Sequence, residues 1–138
     1  MPKVSVTSLK EPLFKQEIQA GSHKLVSDAP RDVGGSETAP DPHELLLAAL
    51  GACTSMTMQI FAERRKWDLQ KVHVELTEEK VDDPENPGRQ MSKITRSITV
   101  EGDLSPEQVD NLKAVANKCP IHKILTGSKE IVTTIAHG

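Results

Sequence analysis

"DPHELLLAALGACTSMTMQIFAERRK", residues 41–66, carries the strongest helix signal in the chain. Asp41 can cap the first turn, Pro42 suits the first helical position, and Glu44 stands where a capping box requires it. Positions 45–62 carry no charge, and cations return only in the final ERRK, where they favour the helix dipole. The pattern therefore predicts one long helix whose surface is apolar on every side.

The uncharged run is close to the length that crosses a membrane, but its composition favours a different role. It is interrupted by small and polar residues: Gly51, Thr54, Ser55, Thr57 and Gln59. We therefore expect a buried core helix and no membrane association. Glycine costs about 1 kcal/mol against alanine in a helix interior, so Gly51 predicts close approach by another backbone.

Alternation of apolar and polar residues predicts strands on both sides of this helix. The chain is expected to form one domain of 138 residues with short N-terminal strands in 1–28, a loop at 29–42, a central helix at 43–66, and a hairpin, helices and a last strand within 70–138. Ser105, Pro106 and Gln108 predict a second capping box, and Val109, Leu112, Val115 and Ala116 its buried stripe. The last strand is KEIVTTIAH, residues 129–137. The order βββ-α-ββ-α-α-β predicts an α+β fold.

Composition excludes several classes of partner. The net charge of −3 and the absence of tyrosine argue against a nucleic-acid surface. The N-terminal residues lack the apolar segment of a secretory signal. We therefore expect a cytoplasmic protein that binds no nucleic acid and whose two cysteines are reduced.

Cys53 lies inside the apolar helix, and the only other cysteine is Cys119, in NKCPIHKIL. A buried helical cysteine is most often inert packing, so position alone does not make Cys53 a nucleophile. Cys119 and His122 have the spacing of a metal-binding pair, but the other cysteine and histidines offer no second tight pair. We therefore expect no metal and no bound organic cofactor.

Two longer segments, GGSETAPDPHELLLAALGACTSMTMQIFAERRKWDLQKVHVEL and VEGDLSPEQVDNLKAVANKCPIHKIL, together resemble the OsmC/Ohr superfamily, the osmotically inducible and organic hydroperoxide resistance proteins. The resemblance spans about residues 25–135. It implies the OsmC/Ohr-like fold, an intertwined homodimer around two long central helices, with active sites at the subunit interface. A partner helix would cover the apolar surface that a short chain cannot wrap alone.

The resemblance also implies thiol-dependent reduction of organic hydroperoxides. By motif, Cys53 corresponds to the peroxidatic cysteine, which becomes a sulfenic acid, and Cys119 to the resolving cysteine, which closes a disulfide. A dithiol reductant, such as a lipoyl protein, would restore the thiols. These roles come from the resemblance and not from the spacing of the residues.

The residues that activate the thiolate in the peroxidases are only partly matched. The resemblance calls for an arginine from an early hairpin and a glutamate directly after the helix-starting proline; here that position is His43, and Glu44 follows it. Residues 4–26 contain no arginine, so Arg31 is the predicted cation for the Cys53 thiolate, ahead of Lys10 or Lys15. Arg31, His43 and Glu44 are therefore the candidate activating residues.

Two other functions fit the same residues. One is an OsmC-like dimeric binding or redox-sensing protein without peroxidase turnover, in which an interface cavity holds an apolar ligand. The other is a hydrolase that uses Cys53 and His122 on a thioester or similar acyl group.

Overall fold

Three strands, a long helix, a hairpin and two further helices follow one another along the chain, which the computed structural model describes from residue 1 to residue 138. The elements are β1 (Val4–Ser8), β2 (Gln16–Ala20), β3 (His23–Ser27), α1 (Pro42–Arg65), β4 (Lys71–Asp82), β5 (Gln90–Glu101), α2 (Pro106–Ala116) and α3 (Pro120–Thr126). The mixed α+β class is confirmed. Contacts divide the chain into two units, residues 1–48 and 49–138, and the prediction of a single domain stays a prediction.

The first unit is built on an antiparallel sheet in the order β1-β2-β3. Val6 pairs with Ile18 and Ile18 with Leu25, so these three apolar side chains lie on one face. The β2–β3 turn contains Gly21, whose φ of 61° is the left-handed conformation that glycine adopts most easily. The predicted N-terminal strands are therefore confirmed.

The loop between β3 and α1 is ordered around the buried carboxylate of Asp28. One carboxylate oxygen accepts from the Ala29 N–H at 2.8 Å, and the other accepts from the Thr38 N–H at 3.0 Å and the Thr38 hydroxyl at 2.7 Å. Ser27 adds a hydrogen bond from its hydroxyl to the Pro40 carbonyl at 2.8 Å. The predicted loop is therefore held closed by hydrogen bonds to the buried carboxylate of Asp28 and to the Pro40 carbonyl.

Helix α1 begins with the predicted capping box. The Asp41 carboxylate accepts from the Glu44 N–H at 2.8 Å, and the Glu44 carboxylate accepts from the Asp41 N–H at 3.0 Å. Each side chain satisfies a backbone donor that the first helical turn leaves unpaired. The helix therefore starts and ends within one residue of the predicted positions.

Only a narrow stripe of α1 is buried, and it consists of Leu50, Gly51, Thr54, Met58 and Ala62. Other apolar side chains of the helix face outward, with Leu46, Met56 and Ile60 being 40%, 60% and 52% exposed. By length and composition α1 could cross a membrane, with a mean hydropathy of 1.7 and 28% of its apolar window buried. The expectation that it does not do so stays a prediction.

The second unit has a core between α1, α2 and the β4–β5 hairpin. Its centre is formed by Met58, Ala62, Leu112 and Ala116, all no more than 1% exposed. The two strands pair along their full length, from Lys71 opposite Glu101 to Asp82 opposite Gln90, and alternate residues face the helices. The hairpin around the Pro/Asn/Gly loop is confirmed.

Helix α2 shows the second predicted capping box, between Ser105 and Gln108. Its buried stripe is Leu112, Val115 and Ala116, whereas Val109 is 39% exposed. The prediction for Val109 was therefore wrong, because helical spacing alone does not tell how far a neighbouring element extends.

Two other predictions were also wrong. Residues 128–138 form no strand, because no strand in the chain pairs with them; Ile131, Val132 and Ile135 are 85%, 78% and 98% exposed. Close approach at Gly51 comes from a side chain and not a backbone, since a Cβ there would lie 2.8 Å from Leu76 Cδ1. Leu76 sits on β4, where its side chain fills the space that the glycine leaves.

Candidate thiol site

The structure brings the two cysteines together. Cys53 lies on α1 and is half-buried, whereas Cys119 precedes α3 and is fully buried. Both are free thiols, and they lie near enough that each changes the pKa of the other. Although 65 positions separate them in sequence, they form one site in the second unit.

The local backbone around Cys119 follows from the proline after it. Cys119 has φ −60° and ψ 133°, an extended conformation that a residue before proline prefers, and Pro120 opens α3. The Cys119 sulfur then takes the place of a helix-capping oxygen and accepts from the His122 N–H at 3.4 Å. The Cys-Pro sequence therefore turns the thiol inward and gives its sulfur a backbone donor.

The two thiols ionise unequally. Burial raises the pKa of Cys53, and the hydrogen bond and charge of Cys119 raise it further, against weaker donation from the Ile121 N–H and Thr57. Burial also opposes ionisation of Cys119, but donation from Cys53, from the His122 and Ile121 N–H groups and from Thr54 lowers the pKa of Cys119 overall. The pair therefore loses its first proton more easily than its second.

Arg96, which the sequence analysis did not identify, lies beside this pair. It projects from the helix-facing side of β5 and donates to Thr54 Oγ1 at 2.9 Å and to Asn117 Oδ1 at 2.8 Å. One guanidinium nitrogen also lies 3.2 Å from His122 Nδ1. Thr54 follows Cys53 directly, and the other two partners flank Cys119. Alternation along the hairpin places residue 96 on the inner face, but no local signal links it to the cysteines.

The position of the His122 ring bears on two hypotheses, a hydrolase that uses Cys53 with His122 and a metal site at Cys119 and His122. Because Nδ1 faces an arginine donor, it accepts that hydrogen bond and the ring proton lies on Nε2. Nδ1 is therefore not available as a base toward a thiol. No three His, Cys, Asp or Glu side chains lie close enough to bind one metal ion.

A groove of about 590 Å³ opens next to Arg96 and His122. Its walls are mainly apolar, and its lining residues are Leu50, Met91, Ser92, Ile94, Arg96, His122, Leu125 and Thr126. Apolar walls with a few polar groups are typical of small-molecule sites.

The predicted activating residues belong to the first unit, where each has a local neighbour. Arg31 lies 3.8 Å from Glu37 in an exposed ion pair, and Glu44 takes part in the capping box of α1. His43 is exposed on the first helical turn, and the charge of Lys15 acts on Asp28. The predicted roles of Arg31, His43 and Glu44 at Cys53 stay predictions.

Solved structures share this architecture at low sequence identity. An OsmC-like protein from Mycoplasma pneumoniae is 17% identical, with a TM-score of 0.74 over 92% of this chain and 88% of that one. An organic hydroperoxide resistance protein OsmC from Legionella pneumophila is 20% identical, with a TM-score of 0.68 over 92% and 90%. One from Elizabethkingia anophelis is 14% identical, with a TM-score of 0.69 over 92% and 89%.

No protein with a curated function matches the chain. The family described as OsmC-like protein matches residues 34–134, which include both cysteines, the hairpin and all of α1. The match covers well over half of the chain, and the chain therefore belongs to the OsmC-like protein family.

Proposed function

We propose that this protein reduces organic hydroperoxides with the Cys53–Cys119 pair and that a dithiol reductant, such as a lipoyl protein, regenerates it. The observation that carries the proposal is the placement of a half-buried thiol and a fully buried one in one site, where Arg96 joins Thr54, next to Cys53, to Asn117, near Cys119. Solved relatives named organic hydroperoxide resistance proteins support the substrate class.

In this proposal Cys53 attacks the peroxide, because it is the more exposed of the two thiols. Cys119 in its ionised form first takes the Cys53 proton. The Cys53 thiolate then attacks the peroxide, which breaks the O–O bond and leaves a sulfenic acid and an alkoxide. The alkoxide takes the proton back from Cys119 and leaves as an alcohol. Cys119 finally attacks the sulfenic sulfur, and the disulfide forms as hydroxide leaves and is protonated to water.

We further propose a cytoplasmic homodimer in which the exposed face of α1 packs against a second copy. Met56 and Ile60 on that face are more than half exposed, and such a surface rarely stays in contact with water.

A redox-sensing protein without turnover is the second candidate, and one observation favours it. The raised pKa of Cys53, caused first by burial, disfavours the thiolate that must attack the peroxide. In a sensor, slow oxidation of the pair would itself be the signal.

Stopped-flow oxidation of the reduced protein under anaerobic conditions separates the two functions. A hydroperoxide reductase should consume both thiols far faster with cumene hydroperoxide than a free thiol does, and faster than with hydrogen peroxide. Rates no greater than those of free cysteine would favour the sensor.

Mass spectrometry after one equivalent of cumene hydroperoxide tests the roles of the cysteines. The wild type should lose two hydrogen atoms, Cys119→Ala should gain one oxygen, and Cys53→Ser should not change. Identical behaviour of the two variants would contradict the assigned roles.

A further inference from the structure

Arg96 makes an unusually complete set of hydrogen bonds for a half-buried cation. One terminal nitrogen donates to Thr54 Oγ1 at 2.9 Å and to the Ala116 carbonyl at 3.4 Å. The other donates to Asn117 Oδ1 at 2.8 Å and to His122 Nδ1 at 3.2 Å. Each terminal N–H of the guanidinium thus has an acceptor, and all four acceptors are neutral.

These acceptors lie on three separate segments that surround the thiol pair. Thr54 belongs to α1 and follows Cys53, Asn117 ends α2 two residues before Cys119, and His122 lies in the first turn of α3. The guanidinium therefore joins β5 to the backbone on both sides of Cys119 and to the helix that carries Cys53. A planar fork with fixed donors restrains such a junction better than a flexible ammonium group can.

Thr54 and His122 connect the arginine to the surroundings of the two thiols. The Thr54 oxygen accepts from Arg96, so its single hydrogen is left to donate. The Cys119 sulfur accepts from the backbone N–H of His122, a second partner of Arg96, at 3.4 Å, and the Thr54 hydrogen donates to the Leu50 carbonyl at 2.7 Å. Because both Thr54 and Cys119 are fully buried, no bulk water competes for these hydrogen bonds.

We propose that Arg96 is a positioning residue that holds the Cys119 sulfur for disulfide closure with Cys53, by fixing Thr54, Asn117 and His122 around it. The proposal deepens the proposed function, because closure is the second step of that reaction. The Cys119 thiolate attacks the sulfenic sulfur of Cys53, the S–O bond breaks, and the hydroxide that leaves is protonated to water. Arg96 touches neither sulfur and acts through the hydrogen bonds of its neighbours.

The test compares Arg96→Met and Arg96→Lys with Lys93→Met as the matched control. Lys93 lies on the same strand, but its side chain is on the solvent face. Lys93→Met therefore removes the same charge without changing a contact of the site. Folding of each variant is verified by circular dichroism. After one equivalent of cumene hydroperoxide, sulfenic acid is trapped with dimedone and disulfide is counted by mass spectrometry.

We expect both Arg96 variants to form the sulfenic acid within about twofold of the wild-type rate and to close the disulfide about tenfold or more slowly. Lysine should not rescue closure, because one nitrogen cannot reach Thr54 and Asn117 together. The closure step should also shift to higher pH, because without Arg96 the turn that directs the His122 N–H to the Cys119 sulfur is less fixed. Closure within about twofold of wild type in folded Arg96→Met would overturn the proposal.

A second oxidant separates this proposal from the hydroperoxide function. Diamide drives a dithiol to a disulfide without any peroxide, so the closure rates of wild type and Arg96→Met can be compared even if the wild type does not react with cumene hydroperoxide. Slow diamide closure in the variant alone supports the role of Arg96 whatever the substrate, and equal closure overturns it.

If the Arg96 variants do not fold, Thr54→Val and Thr54→Ser replace them. Serine keeps the hydroxyl that accepts from Arg96, and valine keeps the shape of threonine without it. We expect Thr54→Ser to close at nearly the wild-type rate and Thr54→Val to close slowly. Equal rates in these two variants would overturn the proposal.

Discussion

Cys53 and Cys119 titrate as a pair, because each changes the pKa of the other. Donation from Cys53 and from the backbone lets Cys119 ionise below the ordinary thiol pKa, although its burial opposes this. The resulting charge makes the second ionisation, at Cys53, harder. A single negative charge shared by the pair is therefore the reactive form in the proposed function.

The pH dependence of the first oxidation follows from this pair. The wild-type rate should rise with pH and level off above the lowered pKa of the pair, since below that pH both thiols are protonated. In Cys119→Ala only Cys53 titrates, and its burial raises its pKa, so the inflection should move to higher pH. Stopped-flow rates across the pH range measure both curves. An inflection in the variant at or below the wild-type value would contradict this account.

Asp28, in the first unit, should make the stability of the loop between β3 and α1 depend on pH. The N–H and hydroxyl of Thr38, and more weakly the Ala29 N–H and the charge of Lys15, hold the pKa of Asp28 below its usual range despite burial. Because the pKa of Asp28 is lowered in the folded protein, the ionised carboxylate stabilises the fold fully above the ordinary carboxyl pKa. This stabilisation is lost as the pH falls through the lowered value.

Asp28→Asn should therefore lower the melting temperature clearly at neutral pH and much less in strong acid, where the wild-type side chain is also neutral. An amide also turns a donor toward the N–H groups of Ala29 and Thr38. Asp32→Asn, at an exposed position of the same loop, is the control and should change little. Thermal melts of the three proteins across the acid range test this, and a deficit of Asp28→Asn that does not depend on pH would refute it.

At the scale of elements, two glycines of the hairpin region differ in what surrounds them. Both have positive φ, 86° at Gly88 and 143° at Gly102. A Cβ at Gly88 would meet nothing within 4 Å, whereas a Cβ at Gly102 would lie 1.8 Å from the Asp68 carbonyl oxygen. The end of β5 therefore packs directly on the backbone before β4.

Alanine at these positions should separate conformational strain from steric clash. Gly88→Ala should cost about 1 kcal/mol of unfolding free energy, the cost of a left-handed alanine. Gly102→Ala should cost more than about 2 kcal/mol, because the backbone must also move. Urea denaturation of both variants measures the difference. Equal losses would show that the contact with Asp68 relaxes freely.

The elements that the sequence predicted well are those specified by neighbouring residues. Both capping boxes, Asp41 with Glu44 and Ser105 with Gln108, join residues three positions apart and were visible in the chain. The thiol site depends on distant residues, since Arg96 reaches Thr54 across 42 positions. No local pattern encodes that contact. The prediction of a last strand was wrong for a related reason, because a strand needs an edge to pair with and periodicity cannot supply one.

At the scale of the whole molecule, the long helix is covered on one side only. Its buried stripe faces the core of the second unit, and Met56 and Ile60 remain more than half exposed. A helix that is apolar all round is stable in water only when its remaining surface is covered. The proposed dimer supplies that cover with a second copy of the same helix.

Ile60→Glu should therefore weaken the dimer, because a carboxylate would be buried in an apolar interface. Gln59→Glu adds the same charge at the adjacent exposed position and should have a smaller effect. Sedimentation velocity at micromolar concentration should show a dimer for the wild type and a shift toward monomer for Ile60→Glu. A stable, folded wild-type monomer would contradict the proposed dimer.

Residues 128–138 pair with no strand of the chain, and we expect their cleavage by proteases to depend on protein concentration if a second copy covers them. Trypsin can cut after Lys129, next to a segment whose isoleucines are almost fully exposed. If this segment joins a sheet edge of a second copy, cleavage should slow as the protein concentration rises, because a backbone held in a sheet does not fit a protease. Proline at position 131 has no N–H to donate to a neighbouring strand, so trypsin should cut the Ile131→Pro protein equally fast at every concentration. In a cell, newly made chains that have not met a partner would then lose this tail first, so degradation would remove unassembled copies and spare assembled ones.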